Sequence, residues 1–308
     1  MKSYCIAGRL AARASGAERV YDSRMARLTR RTIFRSAAAA AAGRWLRADT
    51  GRLRIGVTDW NLRLIANPEA VALAARLGFD GVQVSFGRRI ADGKMPGDNP
   101  ELIARYLQAS AEHKLPIDGT CVDMLHTNGL KSDPLAVKWV RDAIRLTQAL
   151  HTGVLLLPFF GKWAIQTPAE REAVAGRVRE LAPEAEKAGV ILGLENTISA
   201  EDNARILDRV RSKNVLVYYD VGNSTNNGFD VVKEIRWLGK DRICQIHLKD
   251  NPHYMGEGKI DFPAVLRAIH DIGFTGYANL ETDVHQGSTV ETDMRRNLEF
   301  TRKTLAAV

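Results

Sequence analysis

From Leu53 onward, short apolar or β-branched runs alternate with amphipathic stretches at helical spacing. The runs predict strands over Leu53–Val57, Gly81–Phe86, Ile117–Val122, Gly153–Pro158, Val190–Glu195, Val215–Asp220, Ile243–Leu248 and Tyr277–Glu281. The stretches between and after them predict helices over Pro68–Leu77, Pro100–His113, Pro134–Leu150, Pro168–Ala188, Ala200–Val210, Asp230–Leu238, Phe262–Ile272 and Thr289–Leu305. Several of these helices open on proline, whose missing N–H is not needed in a first turn, and several end at glycine. LGFDG at Leu77–Gly81 and IGFTG at Ile272–Gly276 make the same helix-to-strand turn in two repeats. The strands read as nearly continuous apolar runs, as parallel strands buried on both faces do. Eight such units without a second domain predict an α/β fold, a single (β/α)8 barrel over residues 51–308. No GxGxxG follows the first strand, which argues against a doubly wound nucleotide-binding sheet.

Charge changes the picture only once it is located. The whole chain sums to +8, but residues 1–48 hold eleven Lys or Arg against Glu18 and Asp22. The rest of the chain is therefore close to neutral, so a basic nucleic-acid-binding face is not expected. Within the basic stretch, TRRTIFR at Thr29–Arg35 precedes Ser36 and the alanines Ala37–Ala42. This resembles a twin-arginine export signal, with a cleavage site among Ala40–Ala42. Residues 1–50 are accordingly expected to be a flexible basic leader and linker, and the protein to be exported or periplasmic. If the leader does not function, or Met25 is the true start, it stays cytoplasmic. The apolar segment is too short for stable membrane insertion. Cys5, Cys121 and Cys244 are widely spaced, which excludes a CxxC pair and a disulfide framework.

The informative residues fall at strand ends. Glu195 ends ILGLE, Asp220 ends VLVYYD, His247 lies in ICQIHLKD, and Glu281 ends YANLE. Strand C-termini are the face on which barrel active sites assemble. The separations of 25, 27 and 34 residues are one repeat each, so closure brings strands five to eight around one pocket. Three carboxylates in a low-dielectric pocket repel one another and are forced toward protonation, a penalty that a divalent cation removes. Three oxygens and one imidazole suit Mn²⁺ first, with Mg²⁺, Co²⁺ or Zn²⁺ as alternatives. One acid or histidine at a strand end reads more simply as a cap, an ion-pair partner or a hydrogen-bonded core residue. Four on consecutive strands read as a metal site.

A metal that polarises a carbonyl acidifies the neighbouring C–H and stabilises the developing enediolate. One of Glu195 and Glu281 can then take the proton and the other return or relay it. Delivery to the opposite face gives an epimer, and transfer to the adjacent carbon gives aldose–ketose isomerisation. Asp220 and His247 would mainly hold the ion, with Asp250 supporting them from outside.

Around these residues the chain resembles the xylose-isomerase-like barrel superfamily, and within it the ketose 3-epimerases related to D-tagatose 3-epimerase. The likeness falls on LEN at Leu194–Asn196, YYDVGN at Tyr218–Asn223, IHLKD at Ile246–Asp250 and LET at Leu280–Thr282. GEGKIDF at Gly256–Phe262 resembles that family's Gly-x-Gly loop after strand seven, and the likeness spans residues 53–305. It implies one divalent ion on Glu195, Asp220, His247 and Glu281, with the two glutamates as acid/base pair. Two positions depart from the epimerase pattern. Asn223 stands where those enzymes have a histidine, and His253 where they have an arginine. Both family residues contact substrate, so both positions are substrate-binding candidates here.

Further candidates surround the expected pocket. Trp60, Phe86, Phe160 and Trp163 follow strands one, two and four, where rings could cover the apolar face of a sugar. His126 follows strand three, and Lys249 could bind a hydroxyl or a phosphate. No clear phosphate cradle is visible near strands seven and eight, which favours a free or oxidised sugar or a glycoside. The expected partner is a small-molecule sugar, and a homo-oligomer is left open. Lyase or hydrolase chemistry on a keto-sugar glycoside is the alternative reaction, and a non-enzymatic sugar-binding barrel the alternative role. A phosphodiesterase resembling the endonuclease IV branch would need a richer histidine set than the seven present.

Overall fold

In the computed structural model, which describes residues 52–308, eight parallel strands pair in chain order and close into a barrel. They are β1 (Arg54–Thr58), β2 (Gly81–Ser85), β3 (Ile117–Cys121), β4 (Val154–Pro158), β5 (Ile191–Glu195), β6 (Val215–Asp220), β7 (Ile243–Leu248) and β8 (Tyr277–Leu280). Between and after them run α1 (Glu69–Leu77), α2 (Pro100–His113), α3 (Pro134–Ala149), α4 (Pro168–Ala188), α5 (Ala200–Val210), α6 (Val221–Asn226), α7 (Val231–Leu238), α8 (Phe262–Asp271) and α9 (Val290–Ala306). The eight predicted strands are present with ends moved by a residue or so. The short α6 was not anticipated; it begins because the Asp220 carboxylate accepts the Asn223 N–H. The expected leader and its export signal lie outside the described residues, among which no helix is long and apolar enough to cross a membrane.

Local chemistry sets the element ends. Pro100, Pro134 and Pro168 sit in first turns, behind Asn99, Asp133 and Thr167, whose side chains accept backbone N–H groups. Thr167 and Glu170 complete a reciprocal capping box. Gly78 and Gly189 end α1 and α4 at φ values of 92° and 69°, where a Cβ would be strained.

Alternation along the strands sorts side chains between two environments. In β5, Leu192 and Leu194 join the apolar layer packed under the helices, while Glu195 is buried with His247 on the barrel axis. The barrel interior is largely polar: Gln83, Asp118, Tyr218, Gln245, His247 and Asn279 are all buried. Room for them comes from missing side chains. A Cβ on Gly56 would lie 2.0 Å from Asn279 Oδ1 and 2.4 Å from Asp118 Oδ2. Register then levels the site: Asp220 pairs with His247, Pro158 with Glu195, and Leu248 with Leu280, just before Glu281.

Candidate metal centre

Strands β5 to β8 bring Glu195, Asp220, His247 and Glu281 together at the C-terminal end of the barrel, one donor atom from each within 4.8 Å of the others. His247 Nδ1 lies 2.9 Å from Glu195 Oε1, 3.5 Å from Glu281 Oε2 and 3.8 Å from Asp220 Oδ2. Asp220 Oδ1 accepts the Asn223 N–H at 2.7 Å, whereas Oδ2 is buried without a hydrogen-bond partner. The Lys249 ammonium reaches in from the end of β7, 2.5 Å from Glu281 Oε2 and 2.7 Å from Asp220 Oδ2. The latter is a charge contact without hydrogen-bond alignment. Trp60 Nε1–H donates to Glu281 Oε1 at 3.0 Å, and the Trp60 ring stands edge-on to His247.

The electrostatics follow from burial. Removal from water pushes the Glu195 carboxyl up to about 8, and the charge of Glu281 adds to this. Asp220 is likewise pushed up to about 8 by burial, against the opposing pull of Lys249. Burial would raise Glu281 too, but Lys249 and His247 outweigh it and hold that carboxyl at about 2. Burial lowers His247, so its imidazole is neutral near pH 7. A set of three acidic oxygens and one neutral imidazole, two of the acids destabilised as anions and one oxygen held by charge without a hydrogen bond, fits a divalent cation.

The donors open into a cavity of about 250 Å³ whose walls include Trp60, Arg88, Cys121, Asp123, His126, Phe160, Asn223 and Lys249. His126 and Phe160 stack at 6.0 Å. Of the residues singled out from sequence, Trp60, His126, Phe160, Asn223 and Lys249 therefore reach the cavity. Phe86 and Trp163 do not. Phe86 is buried against Gly97, whose Cβ would fall 2.5 Å from its ring, and Trp163 packs on Gly129 in the same way at 2.2 Å. His253 lines a separate cavity of about 380 Å³ that shares Lys249 as a wall with the first. Asp250 does not touch the four donors: its Oδ2 accepts the Gly256 and Gly258 N–H groups and fixes the loop after β7. Sequence reasoning missed Arg88 and Asp123, which pair at 2.9 Å on the cavity wall. Their position just past β2 and β3 was the available signal.

A family model described as a xylose isomerase-like TIM barrel matches residues 71–304. The chain belongs to that family. Among curated relatives, the 2-epi-5-epi-valiolone 7-phosphate 2-epimerase of Actinoplanes sp. is 30% identical over 207 residues, 65% of this chain and 73% of that protein. The D-psicose 3-epimerase of Enterocloster bolteae is 24% identical over 54% of this chain and 62% of its own length. Among solved structures, an L-ribulose 3-epimerase superposes with a TM-score of 0.68 at 18% identity, covering 83% of this chain and 95% of that one. The 3-keto-D-glucoside 4-epimerase of E. coli gives 0.66 at 18% identity, with 82% and 100% covered. At that identity these two likenesses speak to the xylose isomerase-like fold alone.

Proposed function

We propose that the chain is a divalent-metal-dependent epimerase of a sugar or keto-sugar, an enzyme of the isomerase class. The observation that carries this reading is the convergence of Glu195, Asp220, His247 and Glu281 on one buried point in a member of this family. A bound ion, Mn²⁺ for preference, would polarise the substrate carbonyl and so acidify the neighbouring C–H. Its ligands would be those four side chains, with Asp220 and His247 mainly holding it.

The remaining work falls to the chain. Glu281, held ionised by Lys249 and His247, is suited to accept the proton, and Glu195 would return or relay it. The Trp60 indole N–H fixes one oxygen of Glu281 and the Lys249 ammonium holds the other. Phe160 and His126 offer a flat wall for the apolar face of a pyranose or an open-chain sugar. Asn223 and Lys249 supply hydrogen-bonding groups for its hydroxyls. A cavity of about 250 Å³ suits a compact ligand.

One observation favours a second substrate form. A second space of about 380 Å³, which shares Lys249 as a wall and is also lined by Asn226, His253 and Lys259, would suit the second moiety of a keto-sugar glycoside. With such a substrate the same α-proton removal leads either to an epimer or to loss of the aglycone.

The test is solvent deuterium incorporation, followed by NMR, into free ketoses, aldoses and 3-keto-glycosides by the Mn²⁺-loaded protein. Exchange next to the carbonyl is expected, with a loss of about 10²–10⁴-fold in Glu281→Gln. Appearance of free aglycone would select the lyase reaction. A protein that binds Mn²⁺ stoichiometrically yet exchanges nothing across the panel would refute the epimerase reading and favour a sugar-binding barrel.

A further inference from the structure

Below the four donors the barrel interior holds a second constellation that a metal site alone does not require. Gln83, in the middle of β2, is fully buried, and its Oε1 lies 2.9 Å from His247 Nε2. The same oxygen faces the Tyr218 hydroxyl at 3.0 Å and Asn279 Nδ2 at 3.5 Å. An amide oxygen only accepts, so the two groups that approach it most closely, His247 Nε2 and the Tyr218 hydroxyl, face it as donors.

The direction of the network is determined by its far end. Asn279 Nδ2 donates to Asp118 Oδ1 at 3.0 Å and to the Tyr218 oxygen at 3.2 Å. The phenolic hydrogen of Tyr218 is therefore left for Gln83 Oε1. Reversing the Gln83 amide would set its NH₂ against the Asn279 NH₂, and would turn its oxygen toward the Thr120 carbonyl, which its Nε2 now faces at 3.5 Å. With the oxygen toward His247, a hydrogen on Nε2 makes a bond, while a lone pair there would meet another lone pair.

We propose that Gln83 is a positioning residue of the metal centre: by accepting the His247 Nε2–H it keeps the Nδ1 lone pair aimed at Glu195, Asp220 and Glu281. Imidazole ligands in metal sites are commonly oriented through their second nitrogen, and loss of that partner weakens metal binding about 10–100-fold. The role rests on the metal reading above, whereas the tautomer itself rests on the hydrogen bonds.

The experiment uses the full chain with ¹⁵N-labelled histidine, metal-free in chelator, His247 being assigned by comparison with His247→Asn. Long-range ¹H–¹⁵N correlation is expected to show hydrogen on Nε2 and a bare Nδ1. Mn²⁺ titration followed by electron paramagnetic resonance is expected to show binding weakened about 10–100-fold in Gln83→Leu. Tyr218→Phe, which removes a different donor to the same oxygen, should bind Mn²⁺ like wild type, separating orientation from general packing. Hydrogen on Nδ1 in the wild-type protein, or undiminished Mn²⁺ binding in Gln83→Leu, would overturn the role of Gln83 and leave the metal centre standing. Should Gln83→Leu not fold, the wild-type tautomer decides. No Mn²⁺ binding by the wild-type chain would overturn the metal centre and this role together.

Discussion

Asp118 provides a test of the polar barrel interior that is independent of catalysis. It lies in β3, buried, with Oδ1 accepting from Asn279 and Oδ2 without a hydrogen-bond partner. Burial pushes its carboxyl up from 3.8 to about 8, only partly offset by Asn279 and by the charge of Arg54. Between those two values the folded protein holds a proton that the unfolded chain releases. The sign is therefore the reverse of a salt-bridged aspartate. Stability from this group is greatest below pH 4 and declines as pH rises toward 8, by about 1.4 kcal/mol per pH unit.

Asp118→Asn keeps the size and the acceptor for Asn279 but cannot ionise. Relative to wild type, the variant should gain roughly 3 kcal/mol between pH 5 and pH 7. For a domain of this size that corresponds to a widening of the Tm difference by roughly 6–12 °C. Thermal unfolding followed by circular dichroism at pH 5, 6 and 7, with chelator held constant, measures it. A Tm difference that stays flat across the three values, or narrows, would show that Asp118 is ionised in the folded barrel and would refute the reasoning.

Three further outcomes follow from the site and its supports. Lys249→Met removes the ammonium between Glu281 and Asp220, so the metal-free protein should lose about 3–5 kcal/mol. Its Tm gain on adding Mn²⁺ should exceed that of wild type, and equal gains in a thermal shift assay would contradict this. Trp60→Phe deletes the bond to Glu281 Oε1; the charged bond is worth about 1.5–3 kcal/mol, so Tm should fall by several degrees and kcat at least tenfold. Gly56→Ala drives a Cβ into Asn279 and Asp118 and should destabilise by about 1–3 kcal/mol, readable as a lowered denaturation midpoint with unchanged m.

The parts of this molecule that could be read from sequence share a physical origin. Strand and helix alternation, proline starts and glycine stops act within a few residues, so all eight repeats were legible. The four donors were legible because an acid or a histidine at the end of an apolar run conflicts with burial and demands a partner. Residues placed by contacts between distant loops were not. Phe86 and Trp163 follow strand ends as a pocket aromatic should, yet Gly97 and Gly129, from other turns, draw their rings away from the cavity. Arg88 and Asp123 face the cavity for an equally non-local reason, each compensating the charge of the other across two loops. Gln83 escaped notice on different grounds. Where a barrel interior is polar, a parallel strand is apolar on its outer side alone, and alternation returns along it. In GVQVS the outer pair Val82 and Val84 packs under the helices, and the residue between them is the one that meets His247. A polar side chain in the middle of such a strand is therefore as informative as one at its end, because it too must find a partner, and on the barrel axis that partner is the ligand set itself.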